Sequence, residues 1–125
     1  MKQREDWLAI SADILFVAVF AWIGRMSHDE SLTLGEIAWT ALPFAAGALI
    51  AHLILFYRKS EVRSLKIGVV VWLGTWLLGM GFRTATGAGI DPAFIAVAGS
   101  FLALMLLGWR LIYWLITRKS AARED

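Results

Sequence analysis

The chain has 125 residues, 59% apolar and 18% charged, with a mean hydropathy of +0.67 and a formal net charge of +2. A soluble domain of this length is about 45–50% apolar and about 25% charged, and here the charges cluster between long uncharged runs, so the composition excludes a soluble globular domain and points to a membrane protein. The absence of cysteine excludes thiol and disulfide chemistry, and the small positive balance implies no nucleic-acid partner, because orientation and anionic lipid account for basic clusters of this kind.

Crossing the hydrocarbon layer takes about 20 mostly apolar residues. Four segments qualify, at about 7–25, 34–57, 66–83 and 92–117, within a single membrane domain spanning 1–125. The runs are continuous and lack the period-2 alternation of a transmembrane barrel. Backbone in lipid must satisfy its own hydrogen bonds, so each run is read as a helix. The expected fold is all-α, an integral membrane bundle of four transmembrane helices.

The first segment follows the mixed-charge start "MKQREDW" and no A-x-A site succeeds it, so it is read as a retained helix and not as a signal peptide. It carries Asp13 and ends in "WIGRMSHDE". The second enters through "LPFAAG", where Pro43 is expected to kink the helix, and bears Ala41, Ala45, Ala48 and His52 at helical spacing. The third is short, holds Trp72 and Trp76 at i and i+4 as packing residues, and runs out into "GMGFRTATGAGID". The fourth starts at Pro92, a favourable first helical position, and bears Ala96, Gly99, Ala103 and Arg110 at helical spacing. Stripes of small residues let helix backbones approach closely in lipid, so both stripes are read as packed faces, with His52 and Arg110 continuing them. The two halves also rhyme, each odd helix closing on glycine and arginine before an acidic turn. That pattern fits two parallel helical-hairpin repeats, or chance likeness between apolar sequences.

Nine of the twelve lysines and arginines fall before helix 1, between helices 2 and 3, or after helix 4, against Arg25 and Arg83 on the other side and Arg110 within a helix. The positive-inside rule then places both termini and the central loop in the cytoplasm, in a multi-pass cell-membrane protein.

Two polar clusters stand out. Asp13 is six residues from Trp7, His52 five from Tyr57 and Arg110 seven from Thr117, which at 1.5 Å per residue puts all three about 8–10 Å from the same surface. A lone charge near the bilayer centre costs about 2.5–3.5 kcal/mol on insertion scales, so one shared cluster is preferred to separate burials. Asp13, His52 and Arg110 are the candidate polar interior, read either as a proton-labile or solute site or as a structural Asp13–Arg110 pair. A candidate outer mouth gathers Arg25, His28, Glu36, Arg83, Thr84, Thr86 and Asp91. There Arg83 is expected to turn inward, either binding an anionic or hydroxylated group together with Thr84 and Thr86 or locking the bundle through Asp91 or Glu36, with flanking glycines allowing the backbone to fold over it. The basic loop of Arg58, Lys59, Arg63 and Lys66 is expected to be solvated, with Arg63 replaceable at little cost. "HDE" lacks metal-ligand spacing, and no nucleophile elbow, phosphate loop or metalloprotease motif occurs. The reading is therefore no enzyme, no cofactor and no metal.

The segments "DILFVAVFAWIGRMSH", "WTALPFAAG", "GMGFRTATGAG" with "FIAVA", and "LLGWR" resemble a family of small four-helix membrane proteins filed as domain of unknown function three thousand and fifty-four, actinobacterial and haloarchaeal. The likeness runs from Asp13 to Arg110 and implies the four-helix fold, with no activity to carry over. Asp13 also echoes the embedded acid of small multidrug transporters, whose other features are missing, and the filter of fluoride channels has no counterpart in a chain without asparagine. The functional expectation is transport or binding of a small solute through a polar bundle interior. The alternative is a non-transporting structural or accessory subunit of a membrane complex. The expected partners are the lipid bilayer, a small solute and further copies of the chain.

Overall fold

The computed structural model describes residues 2–27, 30–89 and 91–124, with side chains described over 6–27, 30–89 and 91–118. Four helices follow one another: α1 (Lys2–Ser27), α2 (Leu34–Tyr57), α3 (Leu65–Ala85) and α4 (Pro92–Glu124). No strand occurs among the described residues. Each helix holds a stretch long and apolar enough to cross a membrane, namely Asp6–Ser27, Leu34–Tyr57, Leu65–Ala85 and Pro92–Arg118. Helical backbone extends past the apolar runs at both ends of the chain, because lysine, arginine, glutamate and alanine are good helix formers. Hydrocarbon thickness limits a span without limiting the helix that contains it.

Local signals set the helix starts. Thr33 Oγ1 accepts from the Glu36 amide at 3.3 Å and Ser64 Oγ from the Ile67 amide at 3.1 Å. Asp91 Oδ1 accepts from the Phe94 amide at 2.7 Å. Each side chain satisfies an amide that the first turn of a helix leaves without an internal partner. α2 continues through Pro43, whose missing N–H leaves the Trp39 carbonyl without its usual donor.

Helices adjacent in the chain pack side by side, and α1 closes the ring onto α4 along the thinnest seam. The start of α1, the end of α4 and the α2–α3 turn share one end, the terminal end. Toward the opposite end the interior is filled by rings. Phe20 of α1 meets Phe44 of α2 edge-on at 5.1 Å, and Phe94 and Phe101 of α4 lie 6.5 and 5.8 Å from Phe20. On the α3–α4 face, Trp72 and Trp76 stack at 5.6 Å and 9°. Their indole N–H groups donate to the Gly99 and Ile95 carbonyls at 2.9 and 3.1 Å. The two indoles thus dock α3 onto α4 through packing and directed bonds together, in keeping with their reading as packing residues.

On α2 the small-residue stripe faces inward, with Ala41, Ala48 and His52 buried. On α4 the expected stripe needs correction, because Ala96 is exposed while Ala98, Gly99, Leu102, Leu106 and Arg110 are buried. The buried face of α4 also takes in Ala98, Leu102 and Leu106, long side chains among them, which the spacing of small residues alone does not register. Gly99 is fixed by that contact, since a Cβ there would lie 2.6 Å from Trp76 Cε2.

Replacing Gly99 by leucine should therefore lower stability in detergent by about 1–3 kcal/mol, the usual cost of overpacking. An unchanged melting temperature would show that α3 and α4 do not meet at this glycine.

Candidate functional site

Asp13, His52 and Arg110 point into the terminal half of the ring and, among the described residues, are the charged or imidazole side chains buried there, with exposures of 0%, 3% and 0%. The structure brings all three together. Arg110 grips the carboxylate with two parallel bonds, Nη1 to Oδ1 and Nη2 to Oδ2, each 2.8 Å. His52 Nε2 stands 2.7 Å from Asp13 Oδ2 and, facing a carboxylate, donates to it. Trp109 Nε1 donates to Oδ1 at 2.8 Å. One carboxylate thus accepts four bonds from α2 and α4, which is close to its capacity.

The guanidinium is held just as fully. Its Nε donates to the Val62 carbonyl at 2.8 Å, and Nη1 also reaches the Leu106 carbonyl at 2.9 Å. Its Cζ lies 4.5 Å from the centre of the Trp109 ring, a favourable cation–π separation. Room for the arginine stem comes from Gly68 of α3, where any Cβ would collide with Arg110 Cδ. Val62 is itself buried, so the α2–α3 turn is drawn down over the cluster. Lys59, at the start of that turn, takes a left-handed φ of 57°, uncommon for a residue with a Cβ.

One atom of the cluster stands apart. His52 Nδ1 is buried and has no hydrogen-bond partner among the described residues. With the ring proton on Nε2, this nitrogen is an acceptor in the neutral imidazole, and burial without a donor costs free energy. It is the one unmet polar position in an otherwise closed arrangement.

Sequence reasoning missed four contributors to this site: Trp109, Gly68 and the carbonyls of Val62 and Leu106. The Trp109 bond was legible in principle, since a tryptophan beside an intramembrane arginine has an N–H to satisfy. Gly68 was legible only once the helix facing Arg110 was known. A carbonyl carries no sequence signal.

The expected outer mouth does not form as one cluster. Arg25 is held on the α1–α2 side by Glu30 and Glu36, each 3.1 Å away, by Thr40 Oγ1 at 2.9 Å and by the Ser31 carbonyl at 2.6 Å. Arg83 lies on the α3–α4 side. The carboxylates expected to hold it are committed elsewhere, Glu36 to Arg25 and Asp91 to the start of α4. Arg83 instead donates from Nε to the Gly89 carbonyl at 2.8 Å and lays its guanidinium 4.4 Å from the Phe94 ring centre. Thr84 and Thr86 bond to the carbonyls of Met80 and Arg83, so their hydroxyls close the helix end and do not face a mouth. His28 lies outside the described residues. Arg63 also departs from expectation, being half-buried and donating to the Tyr113 hydroxyl at 2.5 Å.

Four apolar helices around a buried carboxylate–guanidinium–imidazole cluster define a small polytopic helical protein with a polar interior. The sequence matches the family described as protein of unknown function (DUF3054) over residues 10–113, and the chain belongs to that family. No curated protein matches it, and no solved structure does.

Asp13→Ala should destabilise the protein by about 3–5 kcal/mol, because Arg110 would be left buried and uncompensated. Asp13→Leu combined with Arg110→Met should recover much of that loss, since apolar replacement of a whole buried pair is often neutral or better. Unfolding titrations in detergent measure both. A double variant no more stable than Asp13→Ala would mean that the arginine's bonds to the turn, and not its charge balance, hold the site.

Proposed function

We propose that the protein binds a small polar solute, in the simplest case a proton, at the buried cluster and passes it through the membrane by way of His52. The supporting observation is His52 Nδ1, a buried acceptor without a donor beside a carboxylate and a guanidinium whose bonds are already made. Such a position suits a species that brings its own N–H or O–H. Asp13 and Arg110 then orient the imidazole while their own charges cancel, and the site performs no bond chemistry, so the protein is not an enzyme on this reading.

A second reading draws on a different observation. The saturated Asp13 and the phenylalanine rings that fill the opposite half suit a rigid accessory subunit, in which the ion pair is a structural lock. Reconstitution separates the two. In liposomes with an entrapped pH dye and an imposed potential, wild type should dissipate a proton gradient faster than protein-free vesicles. His52→Phe should abolish the difference and, by removing one bond to the buried carboxylate, lower stability by about 1.5–3 kcal/mol, so flux is compared at a temperature where both proteins are folded; Arg25→Gln should retain the flux. Wild-type flux equal to that of empty vesicles would exclude the proton as solute and favour the accessory role.

The basic residues at the terminal end support a cytoplasmic position for both termini and the α2–α3 turn, in the cell membrane. The chain has no cysteine, so single cysteines at the exposed positions Glu61 and Ser31 give clean labels. An impermeant reagent added to intact cells should react at Ser31→Cys and not at Glu61→Cys, and the reverse pattern would invert the topology.

A further inference from the structure

The α2–α3 turn runs over the terminal end of the buried cluster and is anchored there through Val62. That residue is 3% exposed, while Lys59, Glu61 and Leu65 around it are exposed. Its side chain belongs to the core of the bundle, and its carbonyl accepts from Arg110 Nε at 2.8 Å. The next residue, Arg63, donates to the Tyr113 hydroxyl, so the turn reaches across from α2 and α3 to α4. We propose that this turn is a lid, hinged at Lys59 and latched by Val62, whose opening gives His52 access to water at the terminal end. What the lid admits rests on the reading of His52 as a solute site; the hinge and the latch do not.

Two helix ends of the same design locate the hinge. α3 closes with Gly87 at a φ of 82°, its N–H donating to the Thr84 carbonyl at 3.0 Å and that of Ala88 to the Arg83 carbonyl at 3.1 Å. α2 closes with the same two bonds, from Lys59 to the Phe56 carbonyl at 3.1 Å and from Ser60 to the Leu55 carbonyl at 3.0 Å. This pair of bonds places one residue in the left-handed region, where glycine is the usual occupant. Glycine takes that conformation freely, whereas the Cβ of lysine crowds the following carbonyl. α2 therefore ends on a strained residue where α3 ends on a relaxed one. Swinging Lys59 to an ordinary φ would relieve the strain and carry the turn away from the ring. Closure balances that strain against burial of the Val62 side chain and the bond to Arg110. A segment held by so few buried groups opens locally, without the bundle unfolding. Once it lifts, water meets Arg110 Nε and the unpartnered His52 Nδ1, while the bonds from Arg110 to Asp13 stay in place.

Diethyl pyrocarbonate, which modifies an accessible imidazole at its unprotonated nitrogen, tests this in detergent, with the His52 peptide followed by mass spectrometry. Wild type should be modified slowly at His52. Val62→Ala should speed the reaction about tenfold, the effect of removing two methyl groups from the buried latch. Lys59→Gly should slow it about threefold, the relief of a left-handed lysine less the entropy that glycine loses on closing. Gly99→Leu weakens the α3–α4 contact away from the turn and should leave the rate unchanged; Trp72→Phe takes its place should that variant fail to fold. Equal rates in wild type, Val62→Ala and Lys59→Gly would overturn the lid. So would an acceleration by the Gly99 or Trp72 variant as large as that by Val62→Ala, which would mark access through general unfolding. Should Val62→Ala fail to fold, the slowing in Lys59→Gly decides alone. Modification is read without flux, so vesicles that move no protons would remove the solute reading and leave the lid standing.

Discussion

The bidentate contact between Asp13 and Arg110 is the constraint on which the rest of this bundle depends. It joins α1 to α4 across the thinnest seam of the ring, where few apolar contacts would otherwise hold the two helices together. Through the same two side chains it reaches α2 by way of His52 and the α2–α3 turn by way of the Val62 carbonyl. In water such a pair would compete with solvent and contribute little. In hydrocarbon, separating it leaves two charges without compensation, so the contact sets which helix neighbours which. Association of apolar helices in lipid lacks a hydrophobic driving force of its own, and a single obligatory polar contact is then an effective way to fix the order of the ring.

The two halves of the interior solve the same problem differently. At the terminal end polar groups are present and almost every one is paired. Toward the opposite end Phe20, Phe44, Phe94 and Phe101 fill the space with rings, and arginines appear again only at the rim. Those rim arginines are tied down locally, Arg25 by two glutamates and Arg83 by a carbonyl and a ring. On the proposed solute-binding reading, such an arrangement would give a small solute a polar place to stop at the terminal end and no ready-made aqueous route beyond it. Passage across the membrane would require the aromatic half to part, whereas binding from the terminal end requires only that the α2–α3 turn move.

How far the sequence discloses this depends on the kind of signal. Spans are legible because hydrocarbon thickness imposes a length and a composition, and the heights of Asp13, His52 and Arg110 follow from counting residues to a common surface. Rotation about each helix axis is less legible. Ala96 illustrates the difficulty: the stripe of small residues on α4 is real, yet the buried face is set by where the Trp72–Trp76 pair lands, and that is a property of α3. Arg83 shows a second limit. The acidic residues expected to hold it are taken, Asp91 by the Phe94 amide and Glu36 by Arg25, and such competition appears only when all acceptors are placed at once. Arg63 shows a third, since nothing near it in sequence announces a phenol fifty positions away.

The geometry of Arg110 also limits what can happen at Asp13. The guanidinium that grips the carboxylate through both Nη atoms donates through Nε to Val62, and the planar group cannot turn toward one acceptor while keeping the other. A species that displaced Arg110 from Asp13 would therefore release the Val62 carbonyl as well, and with it a turn already strained at Lys59. A species that engaged His52 Nδ1 would disturb neither bond. The cluster would thus offer one interaction that leaves the bonds of Asp13 and Arg110 in place and another that breaks them. A solute small enough to use the first, and a rearrangement that uses the second, would be coupled through the carboxylate they share.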